Sequence, residues 1–158
     1  MIFLSCGNRK GPEAKINQND STEQILGYSP NDKKMNDAIA EAGKTFPEFR
    51  KLLKEGCKSC ESMSVKLRFD SADEAEHIWV NELHFRKNRL FGLINNEPAQ
   101  QIGVEFGDTV EVKNSNLSDW MYIKDGILSG GYTIKVIYDD LGPAEKRELQ
   151  EQVGAKIR

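Results

Sequence analysis

His77, Asp119 and Glu97 are the side chains of this chain best suited to moving protons. A histidine titrates near neutrality, and a carboxylate within reach fixes its tautomer and supports its charge, so His77 with Asp119 or Glu97 has the parts of a general acid–base site. On a regular strand His77 and Trp79 share one face while Glu76 and Glu82 lie on the other. The orienting carboxylate must then come from another strand or loop, which is where Asp119 and Glu97 lie in the chain. A structural reading outweighs the catalytic one: a histidine wedged beside Trp79, its ring nitrogens bonded to backbone or carboxylate, because structural networks perturb histidines as readily as catalytic ones do.

Metal chemistry needs three or four convergent ligands, and the sequence offers none convincingly. His77 and His84 are an odd number of residues apart, so a regular strand sends them to opposite faces. Cys57-Lys-Ser-Cys60 has zinc-knuckle spacing but no second half. As a redox motif the pair would be expected to open a helix, where the dipole lowers a thiol pKa. Here it follows the helix stop Gly56 and precedes a strand, so a small disulfide between Cys57 and Cys60 is expected in an exported protein and two free thiols otherwise.

No phosphate-binding glycine loop, nucleophile elbow or dinucleotide fingerprint is present, and no cofactor is implied. The polar run Asn95-Asn96-Glu97 has no evident packing role. That loop, together with Trp120, is the first candidate for ligand binding. Trp79, Trp120, Tyr122 and Tyr132 are otherwise expected in the core. Lys and Arg total 22 against 25 Asp and Glu, a net charge of −3 with no basic block, which argues against a nucleic-acid partner. The partner expected is a protein or a small molecule.

The elements that position these residues follow from hydrophobic period. Ser29-Pro30-Asn31-Asp32 reads as a helix start, and Met35, Ala38, Ile39, Ala42 and Phe46 recur at helical spacing. Thr45-Phe-Pro-Glu48 repeats the capping pattern, so a second short helix is expected after Pro47, ending at Gly56. Strands are expected over 64–69, with Lys66 and Arg68 on the polar side, and over 76–85, 89–95, 109–112, 120–124, 127–129 and 132–138. They are linked by short turns, Asp125-Gly126 being the strongest hairpin signal. Gly142-Pro143 opens a last helix, expected to lie loosely on the surface. Strands joined without crossover helices imply an antiparallel sheet.

The amino-terminal region differs in kind. Between Gly7 and Gln24 only Ala14 and Ile16 are apolar, so a flexible tether is expected over 7–28. Before it, Phe3-Leu4-Ser5-Cys6 resembles the end of a bacterial lipoprotein signal. A working signal needs an apolar run of about 7–15 residues, so the full signal lies upstream of Met1 or the remnant over 1–6 is inert. On the first alternative Cys6 is lipidated, the protein sits at the cell envelope, and the lipid is its sole link to a membrane. The alternative location is cytoplasmic.

His77-Ile-Trp79, Gly92-Leu-Ile-Asn95-Asn96-Glu97-Pro98, Gly107-Asp108, Asp119-Trp120-Met121-Tyr122 and Gly130-Gly131-Tyr132-Thr133 fall in the order found in one family. Over roughly residues 29–138 the chain resembles the YegJ-like family of bacterial proteins, a domain of unknown function. The resemblance implies an α+β fold and carries no activity with it. The reading is therefore one α+β domain over 29–158: a helical pair on a mainly antiparallel sheet of hairpins, with a carboxy-terminal surface helix. Its expected role is that of an envelope-tethered binding or interaction domain. The alternative is a small hydrolase-like enzyme using His77 with Asp119 or Glu97.

Overall fold

The computed structural model describes residues 31–72, 75–99 and 101–158. The signal remnant, the tether and Cys6 lie outside them. The elements run α1 (Lys33–Glu55), β1 (Cys60–Asp70), β2 (Ala75–Arg86), β3 (Arg89–Ile94), β4 (Thr109–Val112), a short 3-10 turn (Asn114–Asn116), β5 (Leu117–Lys124), β6 (Ile127–Gly130), α2 (Tyr132–Asp140) and α3 (Pro143–Val153). The six strands form one sheet in the order β4-β3-β2-β1-β5-β6, every neighbouring pair antiparallel. Both two-residue hairpin turns, Lys87-Asn88 and Asp125-Gly126, hold positive φ at both positions, the twist that matches antiparallel strands.

Strand alternation sorts the core into two. Val65, Leu67, Ile78, Val80 and Trp120 point to a front face and pack against Ala42, Phe46 and Phe49 of α1. Trp79, Ile123 and Leu128 point to the back and meet Ile134 and Ile137 of α2 and Leu149 of α3. The centre of β1, Ser64–Leu67, is buried on both sides. α1 also reaches α2 at its first turn, where Lys34 Nζ lies 2.8 Å from Asp140.

Four expectations are corrected. First, the helical pair is one helix: α1 continues through Pro47 to Glu55. Proline removes one backbone bond and crowds the preceding turn, but Ala38, Ala42, Phe46 and Phe49 form one stripe across it, and breaking the helix would part Phe49 from the rest of that stripe. The helix starts at Asp32, whose side chain accepts from the Met35 N–H at 2.8 Å. Second, 132–138 is helical, not extended. Gly130 and Gly131 turn the chain with φ of 69° and 59°, and a Cβ at Gly130 would lie 2.2 Å from the Trp120 carbonyl oxygen. Third, the carboxy terminus is docked. Leu149, Ala155 and Ile157 are buried, and the tail pairs with β6 through Leu128 N–H to Lys156 O at 3.0 Å and Lys156 N–H to Gly126 O at 2.8 Å. Fourth, a bulge with Glu82 at φ 48° shifts the alternation of β2 by one residue. Leu83 therefore joins the front core, and His84, paired with Phe91, lies on the back face with His77.

Candidate functional site

The polar centre of the molecule lies on the back face where β2, β1 and β5 meet. Register places Lys66 opposite Trp79 on one side and Asp119 on the other, and Arg68 opposite His77. A shift between the Lys66–Asp119 and Leu67–Leu117 pairs leaves Ser118 as an extra residue. That bulge lets Ser118 and Asp119, adjacent in sequence, both serve the back face.

Asp119 is fully buried and accepts four hydrogen bonds. Its Oδ1 takes the N–H of Trp120 (2.8 Å) and of Tyr132 (3.1 Å). Its Oδ2 takes the N–H (2.8 Å) and the hydroxyl (2.7 Å) of Thr133. The first N–H groups of a helix have no partner within it, so Asp119 is the cap of α2, supplied from β5. This explains why a segment rich in β-branched residues turns helical: tertiary hydrogen bonds override a weak local preference. Lys66, 3% exposed, extends beneath α2, its ammonium 3.4 Å from the Thr133 hydroxyl and 5.3 Å from the centre of the Trp79 ring. Burial raises the pKa of Asp119, while the bonds from Thr133 and Trp120 and the Lys66 charge act the other way.

His77 is half-buried, and its Nδ1 lies 2.7 Å from Ser118 Oγ. Burial first, then the Lys66 and Arg68 charges, lower its pKa to about 4, with Asp70 opposing. The imidazole is neutral at pH 7 and weakly basic, and Ser118 is 2% exposed. None of the four bonds of Asp119 goes to His77. Glu97 and Asn95 are exposed in the loop after β3, whereas Asn96 is 3% exposed and its Oδ1 has no donor among the described residues. Trp120 is buried in the front core, stacked on Phe49 with ring centres 5.0 Å apart. Its indole N–H donates to Ala42 O at 3.1 Å and lies 3.2 Å from the Thr45 hydroxyl, in the turn before Pro47. The structure thus unites His77 with Ser118 and Asp119 with Lys66 and Thr133, and leaves Trp120 on the opposite face of the sheet from both.

Ser118, Lys66 and Thr133 are the members that sequence reasoning missed. Lys66 reads as the polar side of its strand, and that side is covered by α2. Cys57 and Cys60 are joined as a disulfide, 5.3 Å apart at Cα, between the end of α1 and the first residue of β1. No cluster of three or more potential metal ligands occurs among the described residues.

Comparison with known proteins identifies the family of the chain. A bacterial family model described as "Uncharacterized protein conserved in bacteria (DUF2314)" matches residues 32–157, and the chain belongs to that family. It is similar to the uncharacterized protein YegJ of Escherichia coli K12, with 29% identity over 123 residues, 78% of this chain and 76% of YegJ. It is also similar to a protein of Neisseria meningitidis serogroup B described as "Putative ankyrin repeat protein", with 32% identity over 125 residues. That match takes in 74% of this chain and 49% of the Neisseria protein, so the chain spans about half of that relative's length. No solved structure matches. The family match runs from the cap of α1 to Ile157 and so includes α3 and the docked tail, beyond the 29–138 resemblance.

Proposed function

We propose that this protein is a non-catalytic binding domain held at the bacterial cell envelope by a lipid on Cys6. One observation carries the non-catalytic part: the carboxylate best placed for chemistry, Asp119, is fully buried and bonded four times to cap α2. A general acid or base must reach a substrate, and this one faces a helix end. His77 is held neutral, and its partner Ser118 is closed off from solvent. The Neisseria relative, about twice the length of the shared segment, is in keeping with a module that works joined to other parts. The envelope part rests on Phe3-Leu4-Ser5-Cys6 and the polar stretch that follows it.

The second reading, a small hydrolase, is favoured by the 2.7 Å His77–Ser118 contact, since serine and histidine are the working pair of many acyl-transfer enzymes. Two measurements test the proposal. A fluorophosphonate probe should leave Ser118 unmodified in native protein; labelling that disappears in His77→Ala would establish the hydrolase instead. Mass spectrometry of the membrane fraction, from the native host carrying the upstream sequence, should find Cys6 acylated. A soluble protein with unmodified Cys6 would refute the anchor.

A further inference from the structure

The back face of the sheet is covered over β1, β5, β6 and Trp79 of β2 by α2, α3 and the tail, but its part over β3, β4 and the end of β2 near the hairpin is packed into neither core. Phe91 and Leu93 point to this side and join neither hydrophobic cluster, although both are half-buried. Around Phe91 the charge is lopsided. Arg86 and Arg89 are directly opposite cross-strand partners, both exposed, with guanidinium carbons 5.6 and 5.4 Å from the centre of the Phe91 ring. Like charges directly opposite in a hairpin are unfavourable. Glu111, opposite Phe91 on β4, binds Arg89 with both oxygens. No carboxylate pairs with Arg86 among the described residues, and Lys113 adds a third cation near Glu111. Glu111 thus meets the charges of Arg89 and Lys113, and Arg86 adds another cation over the Phe91 ring, in a chain whose net charge is −3.

This surface runs to the edge of the sheet, since β4 has no strand on its outer side among the described residues. At its far end the turn that leads into β4 carries Phe106, 59% exposed. That turn is braced by the Glu105 N–H to Asp108 Oδ2 bond (2.9 Å) and hooked to β3 by the Gly107 N–H to Ile94 O bond (2.8 Å). Edge strands accept extended peptides through their backbone, with side-chain pockets setting preference.

We infer that β4 and the Arg86–Phe91–Arg89 surface beside it bind an extended acidic peptide segment of a partner protein, its carboxylates meeting Arg86 and Arg89 and its apolar side chains resting on Phe91 and Leu93. The inference deepens the binding-domain reading and rests on it. Charge complementarity selects the occupant: the unbalanced Arg86 calls for an anion, and the half-buried Phe91 and Leu93 call for apolar side chains between anions.

The test pans a random dodecamer phage library on the full-length protein, on Arg86→Glu and on Lys44→Glu, a charge-matched control on the exposed side of α1. The enriched peptides are then measured by fluorescence polarisation. Wild type should enrich sequences mixing acidic and apolar residues. Affinity should fall about tenfold in Arg86→Glu, remain unchanged in Lys44→Glu and weaken with salt. Enrichment without acidic bias, indifference to Arg86→Glu, or no enriched peptide would each overturn the inference. So would binding to phosphatidylglycerol vesicles in preference to peptide, which would assign the cations to a membrane. All of these leave the non-catalytic reading standing; fluorophosphonate labelling of Ser118 overturns that reading separately.

Discussion

Two parts of the same sheet face place cations over aromatic rings, and their surroundings give them opposite consequences. Under α2, Lys66 lies 5.3 Å from the Trp79 ring centre, with Asp119 and Thr133 completing its environment. Beyond α2, Arg86 and Arg89 lie over Phe91, and among the described residues the one carboxylate paired with either is Glu111. In the first part water is excluded, so each polar group must find a partner within the protein or weaken the fold. In the second, solvent screens the charges, and an imbalance can persist until a ligand meets it. The difference separates residues that hold the domain together from residues left to bind.

The largest expected effects fall in the covered part and in the front core behind it. Asp119→Ala removes the four bonds that Asp119 accepts, the cap of α2 among them, along with a buried charge that Lys66 feels, which should lower stability by about 3–5 kcal/mol in denaturant melts. Trp120→Ala should lower it by a similar 3–5 kcal/mol, as a truncation in a stacked core. A near wild-type midpoint for Asp119→Ala would erase the distinction between the two parts.

A smaller effect is expected from His77. Its pKa is lowered from 6.5 to about 4 by burial and by Lys66 and Arg68. The neutral form is favoured on folding, so the folded state binds fewer protons than the unfolded chain between these values. Stability should be complete above about pH 6.5 and should decline as the pH falls toward 4. Urea midpoints at pH 7.5 and 5 should differ more in wild type than in His77→Gln. Asp119, with a raised pKa, acts in the opposite direction, so the comparison with His77→Gln is the decisive one.

The smallest effect is expected in the uncovered part. Arg86→Ala should change stability by no more than about 0.5 kcal/mol, and at low salt the change should be favourable, because it removes a like-charge cross-strand pair. A loss of several kcal/mol would mean that Arg86 is structural.

The strands were legible because their cause is local. Val65, Leu67 and Phe69 alternate with polar residues, Asp125-Gly126 fixes a hairpin, and Thr109–Val112 is a strand at the expected residues. What escaped depends on distant partners. Tyr132–Tyr138 alternates well enough to read as a strand, and the helicity of Tyr132–Asp140 comes from a carboxylate on β5. Pro47 reads as a break, and the stripe from Ala38 to Phe49 carries the helix across it. Lys66 reads as solvent-facing, since only the sheet register reveals what lies above it. Asp119-Trp120-Met121-Tyr122 and Gly130-Gly131-Tyr132-Thr133, the stretches on which the family resemblance mainly rested, are the two halves of the α2 cap. Of the candidate site, His77 and Asp119 were legible as residues, but not their partners Ser118, Lys66 and Thr133 nor the cap, because spacing does not tell which donors a carboxylate meets.

Amide hydrogen exchange at Tyr132 and Thr133 tests the structural role of Asp119 most directly. First-turn amides exchange quickly unless something outside the helix binds them. A capping carboxylate requires both amides to be protected in the native protein, and requires that protection to fall in Asp119→Asn while the amides of β1 and β2 keep theirs. Fast exchange at Tyr132 and Thr133 in the native protein, or protection untouched by Asp119→Asn, would contradict the cap and return Asp119 to the candidates for chemistry.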